Sequence, residues 1–123
     1  MIYLKRNLDL IRTLLLEIEK CDDISFDSNR LTHLSDPIAV YYHVHLLYEA
    51  GFIEALSYYS KPCPIPMYKI LWITNAGHDY LDSIRNNNVW SKTKSLISDS
   101  GASFALHIVQ DIATKVLLSS LHI

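Results

Sequence analysis

Cysteine is scarce in this chain, with two among 123 residues, and two thiols can close at most one disulfide. A disulfide-stapled secreted scaffold is excluded, and Cys21 and Cys63 read as free thiols of a cytoplasmic protein. Glycine and proline are also few, three and four, and no low-complexity run or fixed repeat period appears, so neither a disordered chain nor a solenoid is expected. Long apolar runs are missing: nothing approaches the roughly 20 residues that cross a bilayer. The opening MIYLKRNLDL has a charged pair before an amphipathic segment, which predicts neither signal peptide nor anchor. No charge of one sign accumulates. Residues 1–35 carry five Lys/Arg against six Asp/Glu, 36–74 two against three, and 75–123 four against four, for a net charge of −2. Duplex binding draws most of its affinity from neutralised phosphates, so this balance argues against strong non-specific DNA affinity.

Motifs of catalysis and metal binding are absent too. There is no Gly-rich phosphate loop, nucleophile elbow, Cys-x-x-Cys or His-x-x-x-His. His43 and His45, with Cys21, Cys63, His33 and His78, are the residues from which a zinc site would have to come. Two histidines two apart on a helix point about 200° away from each other, which a shared metal does not allow. The expectation is no catalytic residue, no metal and no cofactor, with His43 packed or capping and His45 facing solvent.

What is present is a chain half hydrophobic, long enough for one domain with a real core. It is organised around DPIAVYYHVHLLYEAGF, Asp36 to Phe52. Val40, Val44 and Leu47 recur at helical spacing, Ser35 is the expected cap, Pro37 suits the first turn, and Gly51 supplies the left-handed residue that ends the helix. Before it, Asn7 caps an amphipathic helix whose stripe is Leu8, Ile11, Leu14, Leu15 and Ile18, ending near Cys21. Between them, Ile24, Phe26, Leu31 and Leu34 suggest a short strand and loop in place of a second helix. After Gly51, FIEALSYYS and MYKILWIT form a hairpin whose tip, SKPCPIP, is stiffened by proline. Thr74 caps a helix, TNAGHDYLDSIR, with Gly77 where its start packs on a strand. Asn86 to Asn88 break the pattern. Val89 to Ser98 form a short helix ended by Gly101, and Ser103 caps a last helix to Leu121 with a broad apolar face.

The order helix, helix-Ala-Gly, hairpin, Thr-x-x-Gly helix resembles bacterial winged-helix regulators, and His43, Val44, Leu47, Glu49, Ala50 and Gly51 match a run common there. More closely, KRNLDLIRTLLLEIE (Lys5 to Glu19), YYHVHLLYEAGFIEA (Tyr41 to Ala55), TNAGHDYLDSIRNNNVW (Thr74 to Trp90) and SGASFALHIV (Ser100 to Val109) resemble a bacterial and prophage-borne family known as domain of unknown function 2513. The resemblance implies an α+β, mostly α, winged-helix-type domain: N-terminal helix, recognition-type helix and β-hairpin wing, with additional C-terminal helices. It is a single domain, 1–123, divided into a winged-helix core, 1–85, and a helical extension, 86–123. It implies no catalytic residues.

Two functions stay open. The fold analogy favours a DNA-binding transcriptional regulator of prophage type, with weak affinity for double-stranded DNA. The surface chemistry favours a protein interaction or adaptor module with no DNA binding, because a duplex-reading helix brings Arg, Lys, Asn or Gln to base edges, whereas this one offers tyrosines. The candidate contacts, for DNA or partner, are Tyr41, Tyr42, His45 and Tyr48 on the central helix and Lys61 and Lys69 in the wing. Ile108, Ile112 and Val116 are the candidate interface of a homodimer.

Overall fold

The computed structural model describes residues 4–21, 25–60, 64–101 and 104–121. It is an α+β structure, mostly helical, with five helices and a three-stranded antiparallel sheet in the order β1-β3-β2 among the described residues. Compactness divides the chain into two units, Met1–His78 and Asp79–Ile123. No helix among the described residues is long and apolar enough to cross a membrane.

In the first unit, α1 (Leu8–Lys20) starts where the Asn7 side chain accepts the Leu10 N–H, 3.2 Å away. Its stripe of Leu10, Ile11, Leu14, Leu15 and Ile18 is buried, each side chain contributing about 1.5–3 kcal/mol over exposure. A two-residue strand β1 (Phe26–Asp27) and one 3₁₀ turn (Ser28–Leu31) follow. Among the described residues between α1 and residue 36 there is no full helix, and Ile24 lies outside them. Ser28 is wholly buried, and its hydroxyl accepts the Tyr68 N–H at 3.2 Å where the short ladder stops.

The central helix α2 (Pro37–Glu49) corrects one expectation: Asp36, not Ser35, is the cap. Its carboxylate accepts from the N–H groups of Ile38 and Ala39, and a negative charge at this end also suits the helix dipole. Val40, His43, Val44 and Leu47 form the buried side. Gly51, at φ 77°, turns the chain into β2 (Ile53–Tyr58), which pairs with β3 (Met67–Ile73). Lys61, Pro62 and Cys63 at the hairpin tip lie outside the described residues.

The hairpin register shifts between Glu54 and Ala55: Glu54 faces Trp72 but Ala55 faces Ile70, so Leu71 is an extra residue in β3. Strict alternation after Tyr68 and Ile70 would turn Trp72 inward. The bulge reverses the phase, leaving Trp72 exposed and setting Ile73 opposite the buried Ile53.

The start of α3 (Asn75–Ile84) closes this unit around the Phe52 backbone. The Phe52 N–H reaches the Leu47 carbonyl and its own carbonyl accepts the Thr74 N–H, both at 2.9 Å. The Thr74 hydroxyl donates to the Gly51 carbonyl and accepts the Gly77 N–H. A Cβ on Gly77 would overlap the Phe52 carbonyl oxygen and come within 2.7 Å of Ile73 Cγ2.

In the second unit, Tyr80, Leu81 and Ile84 of α3 are buried. α4 (Asn87–Ser100) begins earlier than its apolar pattern suggests, because Asn86 caps it through the N–H groups of Asn88 and Val89. The asparagine cluster that looked like a break is therefore a cap and first turn. Gly101, at φ 71°, ends it. α5 (Leu106–Ser120) packs on α4 and has Ala105 at its cap position with no side-chain bond. Ser103, the expected cap, lies outside the described residues. The buried residues are Val89, Trp90, Thr93 and Ile97 on α4 and Val109, Ala113 and Val116 on α5.

The junction sets an order of sensitivity. Gly77→Ala should lower unfolding free energy by about 3 kcal/mol, since a backbone carbonyl cannot swing aside as a side chain can. Gly51→Ala, which has open space but a left-handed backbone, should cost about 1 kcal/mol. Urea denaturation of both variants checks the order; equal losses would contradict it.

Candidate functional site

The two histidines of α2 do different work. His43 is buried, and its ring is bonded at both nitrogens: Nδ1–H donates to the Ala39 carbonyl and Nε2 accepts the Asn7 N–H, each at 2.8 Å. A carbonyl can only accept and a backbone N–H can only donate, so these partners select the neutral Nδ1–H tautomer. His43 thereby ties α2 to the cap of α1. Burial lowers its pKa below the ordinary 6.5, partly opposed by the bond to Ala39.

His45, expected to face solvent, is instead partly covered and fastened to the sheet. Its Nδ1 lies 2.6 Å from the hydroxyl of Tyr68, and its Nε2 lies 3.3 Å from a Glu49 carboxylate oxygen. The carboxylate favours the proton on Nε2, which leaves Nδ1 to accept from the tyrosine. Tyr48 packs its ring 5.1 Å from the same Tyr68. Burial pushes the Tyr68 phenol up, with Tyr48, Glu49 and Tyr59 adding to the effect, so it stays a donor. Tyr42 meets His43 edge-on at 5.5 Å, and Tyr41 is half-buried. Of the helix surface offered as a contact face, His45 is fastened to the sheet, while Tyr48 stays 42% exposed and Tyr41 and Tyr42 are half-buried.

Lys69 lies elsewhere. Tyr68 and Ile70, its neighbours in β3, are buried on the side where α2 packs, and the strand's alternation puts Lys69 on the opposite, outer face. Lys61 lies outside the described residues. Lys5 and Arg6 are exposed ahead of α1, and α2 itself carries no Lys or Arg. Lys94, in the second unit, sits over the Trp90 ring. Lys5 and Arg6 precede Asn7, whose N–H meets His43 of α2, and Arg30 belongs to the 3₁₀ turn that packs on that helix.

Sequence reasoning missed the outer face of the sheet. Leu56 is 59% exposed and Trp72 56%, both far above the usual state of such residues. Tyr58 lies on the same face, its hydroxyl donating across β3 to the Asp27 carboxylate, which pushes its pKa up to about 12. Alternation from Ile53 and Ala55 could have found Leu56; only the bulge explains Trp72. In the second unit, Val116 is buried within its own chain, Ile108 and Ile112 are half-covered, and Leu118 and Leu121 are exposed. No group of three or more His, Cys, Asp or Glu among the described residues could hold a metal ion.

These features define a small, mostly helical α+β protein that exposes Leu56 and Trp72 among charged residues on its sheet. The chain belongs to the family described as "Hypothetical protein (DUF2513)", whose model matches residues 5–103. It is similar to a Haemophilus influenzae protein described as "Uncharacterized protein", with 34% identity over 116 residues, covering 93% of this chain and 96% of that protein. No solved structure matches it.

The His43 bonds predict a pH dependence. With its folded pKa below the unfolded value of 6.5, the unfolded chain takes up the proton first on acidification. The contribution is full above 6.5 and is lost as pH falls from there through the folded pKa. His43→Gln should be less stable at pH 7.5 yet lose less on going to pH 5. Thermal midpoints at the two pH values measure this, and an equal loss in both proteins would contradict it.

Proposed function

We propose that this protein is a non-catalytic winged-helix-type binding module whose ligand is protein and not duplex DNA. The winged-helix reading is supported by the order of elements in the first unit and by the β1-β3-β2 sheet. In this reading α2 is the recognition-type helix and β2-β3 the wing.

The observation that carries the choice of ligand is the Tyr68 cluster. A helix reads bases with side chains that reach freely into the major groove, usually Arg, Lys, Asn or Gln. Here His45 and Tyr48 are both engaged with Tyr68, Glu49 lies beside His45, and the helix has no cation. The exposed Leu56 and Trp72, by contrast, are the chemistry of a protein interface. Any duplex affinity rests on Lys5, Arg6, Lys61 and Lys69.

With so few phosphate contacts, affinity for random and genomic fragments should be weak, similar on every sequence, and shallow in salt, with a log–log slope of about 0.9 per contact. Lys69→Ala should weaken it on all duplexes alike, and His45→Ala should leave sequence preference unchanged. Mobility shift over a salt series is the measurement. A tight, sequence-selective complex at physiological salt that is lost on His45→Ala would overturn the reading.

A further inference from the structure

The outer face of the hairpin carries a pattern set by its register. Glu54 stands opposite Trp72, and the next outward pair along the strands is Leu56 opposite Lys69. These four positions are the corners of a quadrilateral on the exposed face, and its diagonals differ in kind. Leu56 and Trp72 make an apolar diagonal, each more than half exposed. Glu54 and Lys69 make a charged diagonal, one of each sign, and neither has an ion pair among the described residues.

We infer that this face pairs with the same face of a second copy of the chain, about a two-fold axis lying along the Leu56–Trp72 diagonal. Rotation about that line sets Leu56 and Trp72 each over its own counterpart. It also sets Glu54 of each copy against Lys69 of the other. An isologous contact requires a surface that is its own complement, and this arrangement supplies that twice with four residues. Asp27 stands opposite Lys69 on β1, with its carboxylate bonded by Tyr58, so a nucleic acid backbone or an acidic peptide would be repelled by two carboxylates, and a basic peptide would meet Lys69. The axis runs obliquely to the strands, so the two sheets cross steeply, a recognised mode of sheet-on-sheet packing. The bulge at Leu71 is what makes the pattern, because without it Trp72 would face inward.

A contact centred on these four residues lies at the small end of specific interfaces, on the order of 1,000 Å², so association is sought in the micromolar range. The pairing does not depend on whether the module's other ligand is protein or DNA, and it differs from a dimer built on α5.

Sedimentation velocity across the micromolar range tests it with charge variants of exposed residues. Wild-type protein should show a reversible monomer–dimer equilibrium. Lys69→Glu and Glu54→Lys should each weaken it about tenfold or more, since each replaces two attractive pairs with two repulsive ones. An equimolar mixture of the two variants should associate again, because every charged pair in the mixed dimer is then opposite in sign. Ile112→Glu on α5 should leave the equilibrium unchanged. The inference is overturned by a wild-type monomer throughout, by a dimer indifferent to the two reversals, by a mixture that stays monomeric, or by dissociation on Ile112→Glu.

Discussion

The close approach at the Phe52 carbonyl is the constraint on which the first unit depends. One residue, Phe52, receives the end of α2 through its N–H and Thr74, just after β3, through its carbonyl oxygen, while Gly77 lies against that oxygen without a Cβ. A buried residue whose backbone N–H and C=O are both bonded has little freedom to shift. The angle at which α2 meets the hairpin is therefore tied to three short contacts. That angle sets which α2 residues meet Tyr68 and which face of the sheet stays open.

From this geometry follows a division of labour between the two sheet faces. The inner face is consumed by packing: Tyr68 and Ile70 are buried, and the Tyr68 hydroxyl and ring hold His45 and Tyr48. Phenol and imidazole, which could otherwise serve recognition, are spent on holding α2. The outer face lacks such commitments at Leu56 and Trp72. Leaving two large apolar side chains in water forgoes a few kcal/mol of burial. Glu54 and Lys69 give that surface a direction, since mixed charge selects a partner of matching pattern.

Much of the fold was readable from periodicity and punctuation. Leu8 to Ile18 has one helical stripe, Gly51 must adopt a positive φ, and Gly77 sits where a helix start meets a strand. The misses share a cause: each depends on a neighbour distant in sequence or on a choice between near-equal local options. Ser35 and Asp36 are both good caps, and the chain uses the one next to Pro37. Asn86 to Asn88 contain a cap that reads as a break. The role of His45 needs Tyr68, which lies 23 residues away. The bulge at Leu71 has no glycine or other local signature; it arises because Ile73 must pair with Ile53 while Ala55 pairs with Ile70. Of the exposed sheet face, Lys69 was legible as a wing cation, but Trp72 was hidden by the phase that the bulge reverses.

The account's central claim is that the outer sheet face is covered in the working state by its own counterpart. Trp72 reports on this directly, because the other tryptophan, Trp90, is buried in the second unit and can be replaced by Phe. Acrylamide quenching of Trp72 fluorescence in Trp90→Phe protein, followed as concentration rises through the micromolar range, is the measurement. The account predicts efficient quenching when dilute and several-fold protection when concentrated. Quenching that stays high and independent of concentration would contradict it.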